Sequence, residues 1–198
     1  ILLASCMSTA LAAADDSAAP QSASNTTIAV RDSSGYDERI TAVRQLLRNR
    51  NLDGAIALLE VMLETAPTDQ LTINLLRNAY EDSKNFTKAE LLARRLVERD
   101  STNYNWRLYL AESLAKQGQV SPADSQYRAA FLRTVPADSG RLYGIIQSMM
   151  AYGVHDGAIS IIDTIRARSG NPRAFGLQRG MILQMERRYA ESARTLFE

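Results

Sequence analysis

The residue best suited to acid–base or metal chemistry is His155, the one histidine in the chain. Imidazole changes its charge near neutral pH and is the commonest metal ligand. Asp156 follows it directly, but general-base catalysis requires partners that converge in a pocket, which adjacency in sequence does not provide. His155 also occupies the place that Phe86 and Tyr189 occupy in a recurring pattern. We therefore predict a structural role for His155.

Acidic side chains are the second candidates, because paired carboxylates can perform general acid–base catalysis. In the predicted second helices of the pattern they alternate with Arg94, Arg95 and Arg128. That alternation is typical of a solvated surface with salt bridges. The sequence also contains no glycine-rich phosphate loop, no Gly-x-Ser-x-Gly nucleophile motif and no His-Glu-x-x-His metal motif. We expect a protein that is not an enzyme and needs no cofactor.

Composition excludes several other functions. Of the 198 residues, 45% are hydrophobic and 23% are charged, as in soluble globular proteins. The formal net charge is +1, whereas a nucleic-acid-binding protein usually carries a basic patch. The only cysteine, Cys6, cannot form a disulfide within the chain or build a cysteine metal site. We expect neither a nucleic-acid partner nor a metal.

Residues 1–14, ILLASCMSTALAAA, are apolar or small and resemble the inner part of an export signal. Ordinary signal cleavage would follow Ala12 or Ala14. Alternatively, the Leu-Ala-Ser-Cys stretch that ends at Cys6 resembles a bacterial lipobox, in which Cys6 is lipidated and becomes the mature N-terminus. A retained or artefactual segment is a third reading. The two leading interpretations both predict export to the cell envelope, either to the periplasm or as an outer-membrane lipoprotein tethered through Cys6.

Composition also predicts the domain boundaries. Residues 15–35 are rich in Ser, Ala and Asp and carry too few apolar side chains to offset the entropy of ordering, which predicts a flexible linker. Residues 36–198 carry the recurring pattern. The sequence ends at Glu198 without a Gly, Pro or capping residue, so we expect the last repeat to be truncated.

A small residue recurs through residues 36–198 at intervals of about 34, 34, 35 and 35 positions, the range of repeats built from two helices. These anchors are Ala55, Ala89, Ala123, Ala158 and Ala193. A larger residue stands three or four positions before each anchor, and apolar residues four and seven positions later continue one helical face. Where two helices approach most closely, only a small side chain fits. We therefore predict that the anchors pack helix against helix.

The pattern resembles the tetratricopeptide repeat (TPR) family. The resemblance rests on the spacing and on Leu-Gly/Ala, Tyr, Gly, Ala and Pro positions, as at Leu110-Ala111, Gly118 and Ala123 in the third unit. It implies an all-α, right-handed superhelical solenoid of antiparallel helix pairs, with four complete pairs and a truncated fifth. Trp106 stands one residue before the family's Trp position, Arg77 replaces a small residue, and Gly180 and Gln184 depart from the pattern in the fifth unit.

The resemblance also implies a concave groove lined by the first helix of each pair. Carried onto this sequence, the groove positions are Arg44, Leu47, Arg48, Leu71, Asn74, Leu75, Asn78, Asn105, Leu108, Tyr109, Glu112, Tyr143, Gln147 and Met150. We expect Leu75, Tyr109 and Tyr143 to form a stripe in which Tyr109 anchors a partner, since tyrosine combines a large contact area with a polar tip. The lysines of the family's carboxylate clamp are absent from these positions.

Two roles for this groove stay open. Asn74 and Asn78 can hydrogen-bond the backbone of a bound peptide, while Arg44 and Arg48 favour acidic residues at one end. Alternatively, the apolar groove residues contact another subunit, the linker or further repeats. The favoured function is a non-catalytic protein–protein interaction scaffold that helps to assemble an envelope complex. The alternative is the TPR helper domain of a larger enzyme or secretion component.

Overall fold

The structure is a computed structural model that describes residues 21–134 and 138–197, with side chains for residues 35–134 and 138–196. These residues form ten α-helices and no β-strand. The helices are α1 (Gln21–Arg48), α2 (Leu52–Thr65), α3 (Gln70–Asp82), α4 (Phe86–Arg99), α5 (Tyr104–Lys116), α6 (Val120–Phe131), α7 (Ser139–Ala151), α8 (His155–Ser169), α9 (Gly176–Met185) and α10 (Tyr189–Phe197). Across this part of the chain, no helix combines the length and apolar character needed to cross a membrane. The predicted export segment, with Cys6, lies outside the described residues.

Consecutive helices form five pairs, from α1 with α2 to α9 with α10, and a short turn joins the two helices of each pair. One residue in every such turn has a left-handed backbone: Arg50, Lys84, Gly118, Gly153 and Arg187. A left-handed residue of this kind ends a helix and redirects the chain. Because it recurs at the same place in all five pairs, the turns are equivalent. The predicted all-α solenoid of antiparallel helix pairs is confirmed.

The anchor residues of the first four pairs are completely or almost completely buried. Ala55, Ala123 and Ala158 have no exposed surface, and Ala89 retains 1%. Ala89, Ala123 and Ala158 belong to one core that runs through all the pairs and that also contains Leu59 and Ile162 among its largest members. Each pair therefore buries its apolar side chains against its neighbours, as in other solenoids.

The fifth anchor was predicted one residue too late. Ala193 is exposed, whereas the preceding residue, Ser192, is 2% exposed. The Ser192 hydroxyl donates a hydrogen bond to the backbone carbonyl of Gly180 on the facing helix, at 3.0 Å. A side chain this short reaches a backbone atom of the neighbouring helix only where the two helices lie close together. The close approach therefore exists in the fifth pair, but a serine occupies it.

The first helix begins at Gln21, inside the segment that was predicted to be a linker, and not at Tyr36. Among the residues whose side chains are described, the buried core begins with Ile40 and Val43. Extending an existing helix fixes one residue for each new hydrogen bond and costs less than starting a new one. Residues 21–34 contain no Gly or Pro that would stop this extension.

Candidate binding cleft

A cleft of about 350 Å³ lies between α3 and α5, the first helices of the second and third pairs. Its walls consist of Gln70, Asn74, Arg77, Asn103, Asn105, Trp106, Leu108, Tyr109 and Glu112. Capping side chains fix where both helices begin. Asp69 accepts hydrogen bonds from the backbone N–H groups of Leu71 and Thr72, and Asn103 accepts one from the N–H of Asn105 at 3.0 Å. Caps of this kind hold the mouth of the cleft in a defined geometry.

Carboxamide side chains dominate the polar part of this cleft. Gln70, Asn74, Asn103 and Asn105 all line it, and Asn74 and Asn105 are exposed. A carboxamide offers two N–H donors and an acceptor oxygen, so it can pair with either half of a peptide group. The rim therefore carries groups suited to a polar, uncharged partner.

Tyr109 forms the floor of the cleft and is only 1% exposed. The expectation that it projects as a surface anchor is wrong. Its ring packs between the two helices, and the guanidinium carbon of Arg77 lies 5.4 Å from the ring centroid. Burial, followed by the charge of Glu81, raises the pKa of the Tyr109 hydroxyl, so this group remains protonated and able to donate. The Tyr109 hydroxyl is itself buried and has no hydrogen-bond partner among the described residues.

Arg77 is a charged residue at a position that is buried and apolar elsewhere in the solenoid. The equivalent positions in the other pairs hold Val43, Ala111, Ile146 and Gly180, all of them buried. Both the Arg77 Nε and the Tyr109 hydroxyl are buried without a hydrogen-bond partner among the described residues. Leaving a buried polar group unpaired typically costs about 1–3 kcal/mol. Both residues line the cleft, so a ligand group that reached these two unpaired donors would gain hydrogen bonds.

Glu112 completes the cleft on the α5 side. Its Oε1 accepts a hydrogen bond from the Ser148 hydroxyl of α7 at 2.9 Å. The oxygen of Ser148 lies 2.7 Å from the Tyr127 hydroxyl, and because Ser148 uses its proton toward Glu112, Tyr127 is the donor in that pair. Burial raises the pKa of Glu112, although the Ser148 hydrogen bond and the charge of Lys116 oppose that change. The carboxylate is therefore positioned from the next helix pair.

Charges around the floor of the cleft balance. Lys116 pairs with Glu81 at 3.3 Å across α3 and α5. Arg77 and Glu112 add one further charge of each sign, and the charges of Lys116, Glu81 and Arg77 all act on Glu112. Two cations and two carboxylates thus surround the floor, so it has no net charge with which to attract an ion.

Five of the predicted groove residues meet in this cleft: Asn74, Asn105, Leu108, Tyr109 and Glu112. The remaining ones lie elsewhere on the surface made by α1, α3, α5, α7 and α9, here called the first-helix face, or in the core. Arg44, Arg48, Leu71, Asn78 and Tyr143 are exposed, while Leu47, Leu75 and Gln147 are half-buried. Met150 is 6% exposed and belongs to the core, so its predicted place in the groove is wrong. The predicted stripe of Leu75, Tyr109 and Tyr143 is interrupted because Tyr109 is buried.

Sequence reasoning missed four cleft residues: Gln70, Arg77, Asn103 and Trp106. Two of them nevertheless carried a signal. Arg77 and Trp106 are positions at which the sequence departs from the repeat pattern, and both line the cleft. Residues that break the rule of a fold without a packing benefit tend to lie at functional sites.

A larger cavity, of about 460 Å³, lies mainly between the second helices α2 and α4. Its central carboxylate, Glu60, accepts hydrogen bonds from Tyr80 at 2.7 Å and from Lys88 at 2.8 Å. Burial raises the pKa of Glu60, but these hydrogen bonds outweigh the effect of burial and lower it. Neither the Arg77 Nε nor the Tyr109 hydroxyl belongs to a residue that lines this cavity. It therefore lacks the unused hydrogen-bond donors that distinguish the smaller cleft.

His155 lies at the start of α8, half-buried, and its Nδ1 contacts the carboxylate of Glu186. This contact joins the fourth and fifth pairs, which places the imidazole in a structural junction. Among the described residues there is no group of three or more His, Cys, Asp or Glu side chains that could hold a metal ion.

Comparison of the sequence with protein-family models and with curated proteins finds no match. Solved structures do match the fold. A TPR protein from Parabacteroides merdae has a TM-score of 0.57 and 17% identity, over 82% of this chain and 64% of that one. MamA has a TM-score of 0.55 and 17% identity, over 81% and 87% of the two chains. YrrB, a TPR protein with an unusual peptide-binding site, has a TM-score of 0.50 and 17% identity, over 80% and 81%. Five equivalent helix pairs and these likenesses together show that the chain has the tetratricopeptide-repeat fold.

Proposed function

We propose that this protein is a non-catalytic protein–protein interaction scaffold that binds an extended segment of a partner protein along its first-helix face, with the α3–α5 cleft as the main contact. The observation that carries this proposal is the pair of unpaired, buried donors at the floor of an open polar cleft, the Arg77 Nε and the Tyr109 hydroxyl. Folded proteins rarely leave such groups unpaired without a functional reason.

The form of the cleft supports a peptide rather than a reactive substrate. Its walls supply carboxamides, an arginine and a carboxylate, but no nucleophile beside a base, as catalysis by acyl or phosphoryl transfer would require. Exposed carboxamides match the alternating N–H and C=O groups of an extended peptide backbone. The peptide-binding site of YrrB shows that a protein of the same fold binds peptides.

The test starts from a library of random short peptides, selected for binding to the purified protein. We expect the enriched peptides to bind wild-type protein saturably, and the double variant Asn74→Ala, Asn105→Ala to bind them at least about fivefold more weakly, equivalent to about 1 kcal/mol. Asn49→Ala is the matched control, because Asn49 is exposed in the turn between α1 and α2, away from the cleft. Equal losses in the double variant and the control, or no enrichment of any peptide, would contradict the proposal.

We also propose that the protein is exported to the cell envelope and assists in assembling a complex there. The apolar and small residues of positions 1–14 support export, with Cys6 as the site of a lipid tether in one version. We expect the chain to leave the cytoplasm on expression in a bacterium. Intact mass of the mature protein separates the two versions, since lipidation adds acyl chains to Cys6 whereas cleavage after Ala12 or Ala14 removes it. A cytoplasmic protein that retains residues 1–14 would refute both.

A further inference from the structure

We propose that the α3–α5 cleft selects a primary carboxamide side chain, that of glutamine or asparagine, from the bound segment. This inference rests on the proposed function, because it assumes that a protein segment enters the cleft. It specifies which side chain of that segment the floor recognises.

The hydrogen-bonding groups on the floor are two donors and one acceptor. The Arg77 Nε–H and the Tyr109 O–H are buried and have no partner among the described residues. Glu112 lines the same cleft, and its carboxylate can accept several hydrogen bonds, so the one from Ser148 does not exhaust it. A carboxamide matches this set, because its oxygen accepts from the two donors while its NH₂ group donates to Glu112. A hydroxyl also has one donor and two acceptor sites, but all three hydrogen bonds would then have to meet at a single oxygen atom, whereas a carboxamide accepts at its oxygen and donates from its nitrogen.

Charge balance excludes ionic side chains as good ligands. A bound glutamate or aspartate would pair with Arg77 but would lie beside the carboxylates of Glu112 and Glu81. A bound lysine would pair with Glu112 but would lie beside Arg77 and Lys116. In either case one charge would be buried without full compensation, which is costly. An uncharged group that both donates and accepts avoids this cost.

The apolar part of the cleft fits the methylene groups of such a side chain. Trp106 is 8% exposed and Leu108 is half-buried, and both line the wall beside the carboxamide rim. A glutamine side chain places two methylene groups between its amide and its backbone, so apolar contacts along the wall accompany polar contacts at the floor.

Trp106 provides the readout, because it is the only tryptophan in the chain and it lines the cleft. The probes are three mixtures of short peptides, randomised at the flanking positions and carrying Gln, Glu or Lys at the centre. We expect the Gln mixture to change Trp106 fluorescence at a concentration about tenfold lower than the Glu or Lys mixture needs, a ratio typical of one well-made polar contact.

Two variants test whether charge balance sets this selectivity. Glu112→Gln leaves the floor with a net positive charge, so we expect the Glu mixture to gain affinity and overtake the Lys mixture. Arg77→Gln leaves a net negative charge and should favour the Lys mixture instead. Glu98→Gln is the matched control, since Glu98 is exposed on α4 and lines neither cavity. Circular dichroism of each variant confirms that it is folded, and the opposite directions of the two changes cannot both arise from partial unfolding.

Each outcome separates this inference from the proposed function. If the Gln mixture binds best and the two variants shift the preference in opposite directions, the inference is supported. If all three mixtures bind equally, or an ionic mixture binds best to wild type, the inference is wrong while peptide binding at the cleft stands. If no mixture changes Trp106 fluorescence, peptide binding at this cleft is wrong, and the inference is rejected with it.

Discussion

Replacing Ala55 by leucine is expected to lower the free energy of unfolding by about 1–3 kcal/mol, the usual cost of overpacking a core. Ala55 has no exposed surface and lies on α2, which packs against both α1 and α3. Three additional side-chain carbon atoms cannot be accommodated at a fully buried position unless neighbouring helices move apart. Urea-induced unfolding, followed by circular dichroism, measures the change directly.

The matched control is Ala57→Leu, on the same helix two residues later. Ala57 is exposed, so the same substitution there adds its carbon atoms to solvent and should change the stability by no more than about 0.5 kcal/mol. Arg128→Leu is a poorer control, because Arg128 pairs with Asp124 and also donates to Ser160. Equal unfolding midpoints for the two alanine variants would reject the close-approach explanation of the recurring alanine.

Other close contacts support the same explanation. A Cβ atom added to Gly157 on α8 would lie 2.0 Å from the Asp124 Oδ1 of α6 and 2.7 Å from the end of the Met149 side chain on α7. In the fifth pair, the Ser192 hydroxyl reaches the backbone of α9 directly. Small residues thus occupy the places where helices within and between pairs come closest.

The fold could be predicted because every repeat has the same short-range sequence pattern. A small residue, a helical apolar face and a turn recur at nearly constant spacing, and each is a short-range signal. The error in the fifth pair has an equally local cause. Ser192 and Ala193 are adjacent and both small, so composition could not decide between them, whereas packing admits only the residue that faces α9.

The candidate site was less predictable, because the burial of its side chains depends on the neighbouring helix pairs. The family resemblance placed Tyr109 on the first-helix face, but whether a tyrosine there is exposed depends on the residue opposite. That residue is Arg77, whose guanidinium lies over the ring and whose position is occupied by Ala111 in the next pair. The sequence of the third repeat alone does not identify the residue of the second repeat that packs against Tyr109.

The position of Glu112 shows the same limit. It was predicted as an exposed groove residue, yet its carboxylate is held by Ser148 from the fourth pair and influenced by Glu81 and Arg77 from the second. Interactions among three repeats determine the pKa of Glu112 and the orientation of its side chain. A sequence pattern read one repeat at a time identifies the position but not these partners.

Replacing Tyr127 by alanine is expected to lower the free energy of unfolding by about 3–5 kcal/mol, as for other large-to-small substitutions of buried aromatic residues. Tyr127 has no exposed surface, and its hydroxyl donates to Ser148 at 2.7 Å, which links α6 of the third pair to α7 of the fourth. The substitution therefore removes both a ring from the core and a hydrogen bond between pairs. The same urea titration gives the magnitude, with Tyr189→Ala as a control because Tyr189 is 63% exposed.

Tyr127→Phe separates the two contributions. It keeps the ring and removes only the hydroxyl, so we expect a loss of about 1 kcal/mol, the usual net value of one hydrogen bond. Ser148→Ala removes the other partner, and the double variant should lose less than the sum of the two single variants, because the shared hydrogen bond is counted only once. If Tyr127→Phe destabilises the protein as much as Tyr127→Ala, the hydroxyl and not the ring holds the third and fourth pairs together. A solenoid is stabilised mainly by contacts between neighbouring pairs. That result would therefore mean that the hydrogen bonds from Tyr127 through Ser148 to Glu112, and not the apolar core, are the main contact between these two pairs.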